Sequence, residues 1–209
     1  MKPKIKICGL KDPENIRAVL ALQPDYIGFI FYPSSKRFVG SSLDANWVAQ
    51  MKGTNKTGVF VNADAEEVNT YVEQYRFQAV QLHGNEDPAY CAQLKATGIT
   101  VIKAFGIDER FDWAYLGEYE PHVDYYLFDT QSKQHGGTGV RFDWKLLEGY
   151  AFEKPFFLSG GLNAENIHEA WKMGDNRLYA LDLNSKFETA PGMKDIQLLK
   201  QTLQTIHDE

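Results

Sequence analysis

The sequence predicts an α/β protein folded as a single eight-stranded parallel (β/α)8 barrel, the TIM barrel. Three observations predict it. Short β-type runs alternate with helical segments from end to end, eight such pairs can be counted, and no linker or low-complexity stretch interrupts the 209 residues. Strands that alternate with helices form a parallel sheet, and eight of them close on themselves so that no strand edge is left exposed. A doubly wound open sheet is the alternative, and it normally uses fewer strands. Residues 1–209 read as one domain, with ample chain for a substantial core.

The first β-type run is Lys4 to Cys8, and a helix opens at Asp12-Pro13-Glu14, where Asp12 suits the N-cap and Pro13 the first helical position. Next come strand Tyr26 to Phe31 and helix Leu43 to Met51, then strand Thr57 to Val61 and helix Ala65 to Tyr75. Strand Ala79 to Leu82 ends at His83-Gly84, and the helix from Asp87-Pro88 ends at Gly98, a C-terminal glycine. In the second half, strand Thr100 to Phe105 precedes a weaker helix over Glu109 to Gly117. Strand Tyr125 to Phe128 runs into Asp129, followed by a glycine-rich loop and a helix near Trp144 to Leu147. Strand Phe156 to Leu158 ends in Ser159-Gly160-Gly161, with a helix from Asn163 or Ala164 to Trp171. Strand Leu178 to Leu183 and helix Asp195 to Ile206 complete the set.

Composition excludes several classes. The formal net charge of −6 argues against a nucleic-acid binder, although a local site on an acidic protein can still attract an anionic small substrate. Cys8 and Cys91, too few and too far apart, suggest neither a disulfide scaffold nor a zinc site. No run of about 18 apolar residues spans a membrane, and Met1 to Lys6 lacks the apolar run of a signal peptide. The expectation is a cytoplasmic protein with a small-molecule partner, without nucleic acid, membrane, metal or cofactor; oligomeric state is not legible.

In a β/α barrel the chemistry lies at the C-terminal ends of the strands. There the chain places Cys8, His83, Asp129, Ser159-Gly160-Gly161 and Asp182, with Arg37 a few residues into the loop after the second strand. Lys6 and Cys8 share one face and Ile5 and Ile7 the other, so isoleucines packed on helices turn Lys6 and Cys8 inward. A neighbouring ammonium favours the thiolate; equally, cysteine can serve as a small buried hydrophobe. For Cys91, inside a helix, that plainer reading is the better one. The helix after Asp129 starts well past Gly139, so Asp129 is a poor cap candidate and a good general acid candidate. The loop Gly136-Gly137-Thr138-Gly139 is either a flexible connection or a cover that offers N–H groups to a substrate. Gly160-Gly161 before a helix, together with Asn184-Ser185-Lys186 after the last strand, suits phosphate, which barrels often bind with these two loops. Arg37 can hold a carboxylate by paired hydrogen bonds, or be a solvated surface charge. His83 is either a ligand contact or a histidine bonded to backbone.

These stretches together resemble the phosphoribosylanthranilate isomerases over essentially the whole chain. The matching segments, in the family's order, are Lys6-Ile7-Cys8-Gly9, Gly28-Phe29-Ile30-Phe31 with Ser35-Lys36-Arg37, Gly58-Val59-Phe60-Val61, and Gln81-Leu82-His83-Gly84. Then follow Asp129 with Gly136-Gly137-Thr138-Gly139, Ser159-Gly160-Gly161-Leu162, and Pro191-Gly192-Met193-Lys194-Asp195. The resemblance implies an Amadori rearrangement in tryptophan biosynthesis that needs no metal or organic cofactor. It implies Cys8 as general base and Asp129 as general acid, with Arg37, His83 and Asp182 at the substrate and Gly160, Gly161, Asn184 and Ser185 at its phosphate. One departure stands out: where the family usually runs Val-Ser-Ser-Gly-Val-Glu after Asp182, this chain reads Leu183-Asn184-Ser185-Lys186-Phe187-Glu188. Lysine in place of glycine bears on whether a positive φ is required there. Other phosphate-binding barrels fit less well: indole-glycerol-phosphate synthases use several lysines and a glutamate, ribulose-phosphate epimerases a set of metal ligands. A non-catalytic sugar-phosphate binder would not need both Cys8 and Asp129.

Overall fold

The computed structural model describes residues 2–131 and 142–207. Eight parallel strands close into a barrel in the order β1 to β8: Lys4–Ile7, Tyr26–Ile30, Asn55–Phe60, Ala79–Leu82, Thr100–Ile107, Tyr125–Thr130, Phe156–Leu158 and Leu178–Leu183. Pairing of β1 with β8, Lys6 opposite Asp182, closes the ring. The glycine-rich loop at Gly136–Gly139 lies outside the described residues.

The first half carries regular α-helices, α1 (Pro13–Leu20), α2 (Ala45–Ala49), α3 (Ala65–Tyr75) and α4 (Pro88–Lys95). Asp12, Asp64 and Asp87 cap α1, α3 and α4 by accepting from the backbone N–H three residues on, which satisfies donors the helix leaves orphaned. The second half is different. The segment after β5 forms 3-10 turns (Trp113–Glu118 and Glu120–His122), and so does Trp144–Gly149 after β6. Helix α5 (Ile167–Trp171) begins later than expected, because Asn163 and Asn166 bond to nearby backbone and hold residues 163–166 in a turn. After β8 a 3-10 turn (Ser185–Phe187) leads into a two-stranded hairpin, β9 (Glu188–Ala190) and β10 (Met193–Lys194), that the sequence reading did not anticipate, before α6 (Ile196–His207).

Strand alternation sorts the barrel residues into two clusters. Ile5 and Ile7 join the shell between strands and helices, with Ile16 and Val19 of α1. Tyr26, Ala79, Ile102, Ala104, Leu127, Phe157 and Ala180 fill the barrel interior, with Tyr125 and Tyr179 against them. The inward direction of Lys6 and Cys8 follows from the same alternation.

Candidate active site

Above the apolar filling, the interior turns charged. The ammonium of Lys6, fully buried, donates to Asp182 Oδ2 (2.8 Å) and to Gln81 Oε1 (2.7 Å). Gln81 Nε2 lies 3.0 Å from His83 Nδ1, and His83 Nε2 lies 3.4 Å from Asp129 Oδ2. The N–H of Thr130 donates to Asp129 Oδ1 at 2.8 Å. Residues from β1, β4, β6 and β8 are thereby joined in one polar set. Asp129 is the penultimate residue of β6, still paired to β5 opposite Gly106, so the strand itself fixes its carboxyl.

Cys8 directly follows β1, and its N–H still bonds to Leu183 O at 2.9 Å. The thiol is buried. A Cβ on Gly28 would come within 2.6 Å of its Sγ, so the glycine on β2 leaves the room that the sulfur occupies. Burial pushes the Cys8 thiol up, and Asp182 adds to this; the ammoniums of Lys6 and Lys194 pull it down without reversing the sum. The neighbouring lysine thus acts in the direction the sequence suggested, and desolvation outweighs it. Burial opposes charge on Lys6 too, yet Asp182 and Cys8 carry that ammonium above its ordinary value. Asp182 Oδ1 accepts no hydrogen bond from the described residues. Cys91, buried in α4, is pushed by burial to about 12, which fits the plain packing role expected of it.

Arg37 is not a solvated charge. Its Nε and Nη2 clasp the carboxylate of Glu188 at 2.7–3.0 Å. Glu188 also accepts from Lys194 Nζ (2.8 Å) and from the N–H of Gly192 (3.1 Å). Burial would raise Glu188, but Arg37 and Lys194 together hold it below the ordinary carboxylate value. This clasp occupies one edge of the guanidinium and leaves Nη1 and the second Nη2 proton to a further acceptor. Gly9, at φ +80°, brings these parts beside Cys8: a Cβ there would meet Arg37 Cδ and Asn184 Oδ1 at 2.7 Å each. No residue with a Cβ fits both that space and that φ.

Of the two candidate phosphate loops, Gly160 and Gly161 both have positive φ, +84° and +69°. Gly160 packs against Asp129: a Cβ there would lie 2.9 Å from Asp129 Oδ1 and 2.7 Å from the N–H nitrogen of Thr130. In the second loop Lys194 Nζ holds Asn184 by Oδ1 (2.9 Å) and by its carbonyl (3.3 Å), so the asparagine side chain is engaged within the protein. Lys186 sits in the 3-10 turn without positive φ, which removes the need for glycine there. The first N–H groups of that turn, at Ser185 and Lys186, have no partner inside it. Among the described residues no three His, Cys, Asp or Glu side chains are grouped as metal ligands, and no helix is long and apolar enough to cross a membrane.

The sequence reading did not single out Gln81, Glu188 or Lys194 as site residues. Gln81 could have been found, since it lies two residues before His83 on one strand face. Glu188 and Lys194 reach the site through the hairpin, which has no periodic signal of its own.

What the fold and this mouth define is a TIM-barrel enzyme, because burying a thiol, an ammonium, an imidazole and carboxyls together at the strand ends is costly and binding alone does not require it. Comparison with known proteins gives the particular kind. The family model of N-(5'phosphoribosyl)anthranilate (PRA) isomerase matches residues 5–205. An N-(5'-phosphoribosyl)anthranilate isomerase of Parabacteroides distasonis is 45% identical over 97% of this chain and 92% of its own length. That of Phocaeicola vulgatus is 40% identical over 96% and 99%. Among solved structures, the phosphoribosyl anthranilate isomerase of Thermotoga maritima superposes with a TM-score of 0.86 at 32% identity, covering 99% of this chain and 100% of that one. A phosphoribosyl anthranilate isomerase in complex with reduced 1-(o-carboxyphenylamino)-1-deoxyribulose 5-phosphate superposes with a TM-score of 0.83 at 30% identity, with the same coverage. The chain belongs to the N-(5'-phosphoribosyl)anthranilate isomerase family.

Proposed function

We propose that this enzyme performs the Amadori rearrangement of N-(5-phosphoribosyl)anthranilate in tryptophan biosynthesis, with Asp129 as general acid and Cys8 as general base. The observation that carries the assignment of roles is the position of these two groups at the barrel mouth: Asp129 is reached from Lys6 through Gln81 and His83, and the buried Cys8 thiol feels the same Lys6 ammonium. Asp129 gives a proton to the ribose ring oxygen; the C1–O bond breaks, and the nitrogen lone pair forms the C1–N double bond of an iminium. The Cys8 thiolate takes the C2 proton, and the C2–H pair becomes the C1–C2 double bond while the iminium nitrogen recovers its electrons. The enolamine then gains a proton at C1 and loses the one on the C2 oxygen, giving 1-(2-carboxyphenylamino)-1-deoxyribulose 5-phosphate. The burial that raises the thiol also makes its thiolate the stronger base once formed.

Arg37 holds the anthranilate carboxylate with the guanidinium edge that Glu188 leaves open. The N–H groups of Gly160-Gly161 and of the turn at Asn184 and Ser185 receive the phosphate, and Asp182 and His83 border the ribose. The support for the phosphate assignment is the left-handed Gly160-Gly161 backbone and the general use of these two loops in barrels. The enzyme is expected to act in the cytoplasm on this small phosphorylated substrate.

The substrate can be made in place from anthranilate and phosphoribosyl pyrophosphate with the preceding enzyme, and its loss followed by fluorescence. Cys8→Ala should fold normally and lose about 10²–10⁴-fold in turnover, the usual contribution of an acid or base. Wild-type protein that is folded yet no faster than the spontaneous rate would sink the assignment.

A further inference from the structure

We infer that Gln81 is a positioning residue that fixes the tautomer of His83 and through it supports Asp129. An ammonium only donates hydrogen bonds, so the Gln81 atom 2.7 Å from Lys6 Nζ is the carbonyl oxygen Oε1. The amide orientation is thereby set by Lys6, with Asp182 holding the same ammonium from its other side. Gln81 Nε2 is then the donor to His83 Nδ1 at 3.0 Å. A ring nitrogen that accepts carries no proton, so His83 carries its proton on Nε2, the nitrogen that faces Asp129 Oδ2 at 3.4 Å.

This arrangement serves the acid in one direction. The two oxygens of Asp129 face two N–H groups, that of Thr130 on Oδ1 and that of His83 on Oδ2. Both donors favour the carboxylate over the carboxylic acid, so their contribution grows as the proton leaves for the ring oxygen. The 3.4 Å separation is long for a hydrogen bond, and it is one that shortens as charge develops on Oδ2. With the opposite tautomer a lone pair would face the forming carboxylate instead, and proton donation would be opposed. Gln81 is buried on β4, shares its strand face with His83 and touches both neighbours through its amide. The inference rests on the assignment of Asp129 as acid, and its primary readout does not.

The test is the ¹⁵N spectrum of His83 in the intact protein, assigned by its loss in His83→Asn. Wild type should show a protonated Nε2 and an unprotonated Nδ1. Gln81→Glu presents an acceptor on both sides; it should reverse the two nitrogens and lower kcat about 10- to 100-fold, the worth of one hydrogen bond to a charged group, with KM little changed. Gln81→Met, with neither donor nor acceptor, should give a mixture of tautomers and an intermediate kcat. A protonated Nδ1 in wild type overturns the inference even if Gln81→Glu fails to fold. A reversed tautomer with wild-type kcat also overturns it, while leaving Asp129 as acid. A fixed Nε2–H tautomer in a wild type that shows no isomerisation would bring down the acid assignment instead.

Discussion

The two ends of the barrel interior solve opposite problems. At the N-terminal end, Tyr26, Tyr125, Tyr179 and Phe157 pack ring to ring at centroid distances of 4.4–6.2 Å. The hydroxyls of Tyr26 and Tyr179 satisfy each other at 2.9 Å. Each such aromatic pair adds about 0.5–1.5 kcal/mol beyond its buried area, so this end stabilises the closed barrel. At the C-terminal end, the same diameter is filled by Lys6, Gln81, His83, Asp129 and Asp182. A buried ion pair such as Lys6–Asp182 often contributes no more than an apolar pair of the same volume. In the proposed function the charged end serves the substrate, and the aromatic end stabilises the barrel that carries it.

The comparison can be broken most forcefully at Lys6. Lys6→Met strands the Asp182 carboxylate, and unfolding by urea should show a loss of about 3–5 kcal/mol. Lys6→Met/Asp182→Leu should recover much of that stability and none of the turnover. A single variant as stable as wild type would mean that the ion pair is not the costly element described.

A second effect is read from pH. With Cys8 as the proposed base, catalysis draws on the thiolate, and burial raises this thiol above its ordinary value of 9.0. Proton loss at this group should therefore set an ascending limb in kcat/KM on the alkaline side of that value, with activity falling about tenfold per unit below it. Removing the Lys6 ammonium, which pulls the thiol down, should move the limb to still higher pH. A limb that ignores Lys6 would separate Cys8 from the polar set.

The smallest effect belongs to the rim. Glu188→Gln loosens Arg37, and KM should rise about tenfold, the value of one charged hydrogen bond, with kcat nearly constant. Because Arg37 and Lys194 hold Glu188 below the ordinary carboxylate value, this clasp should persist at neutral pH and be lost only as pH falls through that lowered value. An unchanged KM would make the clasp purely structural.

Much of this was legible in the sequence. Strands Ala79–Leu82, Phe156–Leu158 and Leu178–Leu183 and helix Ala65–Tyr75 have the expected bounds, since apolar runs and aspartate or proline caps are local signals. Cys8, Asp129 and Asp182 stand out because they end or follow apolar strands. The 3-10 turns after β5 and β6 were not legible, because the choice between tight and regular turns depends on packing that no local pattern encodes. Nor was the Arg37–Glu188–Lys194 cluster, whose members lie up to 157 residues apart in sequence and meet only when β1 closes against β8. Lysine in place of glycine at 186 becomes intelligible only once the turn is seen to need no positive φ.

The division of labour itself is tested by one paired measurement, turnover and urea unfolding of Asp129→Asn beside Phe157→Leu. Asp129→Asn should lose about 10²–10⁴-fold in kcat/KM at an unchanged unfolding midpoint. Phe157→Leu should lose about 1–3 kcal/mol of stability while each folded molecule turns over as wild type does. Wild-type turnover in Asp129→Asn, or an equal loss of turnover in folded Phe157→Leu, would contradict the account.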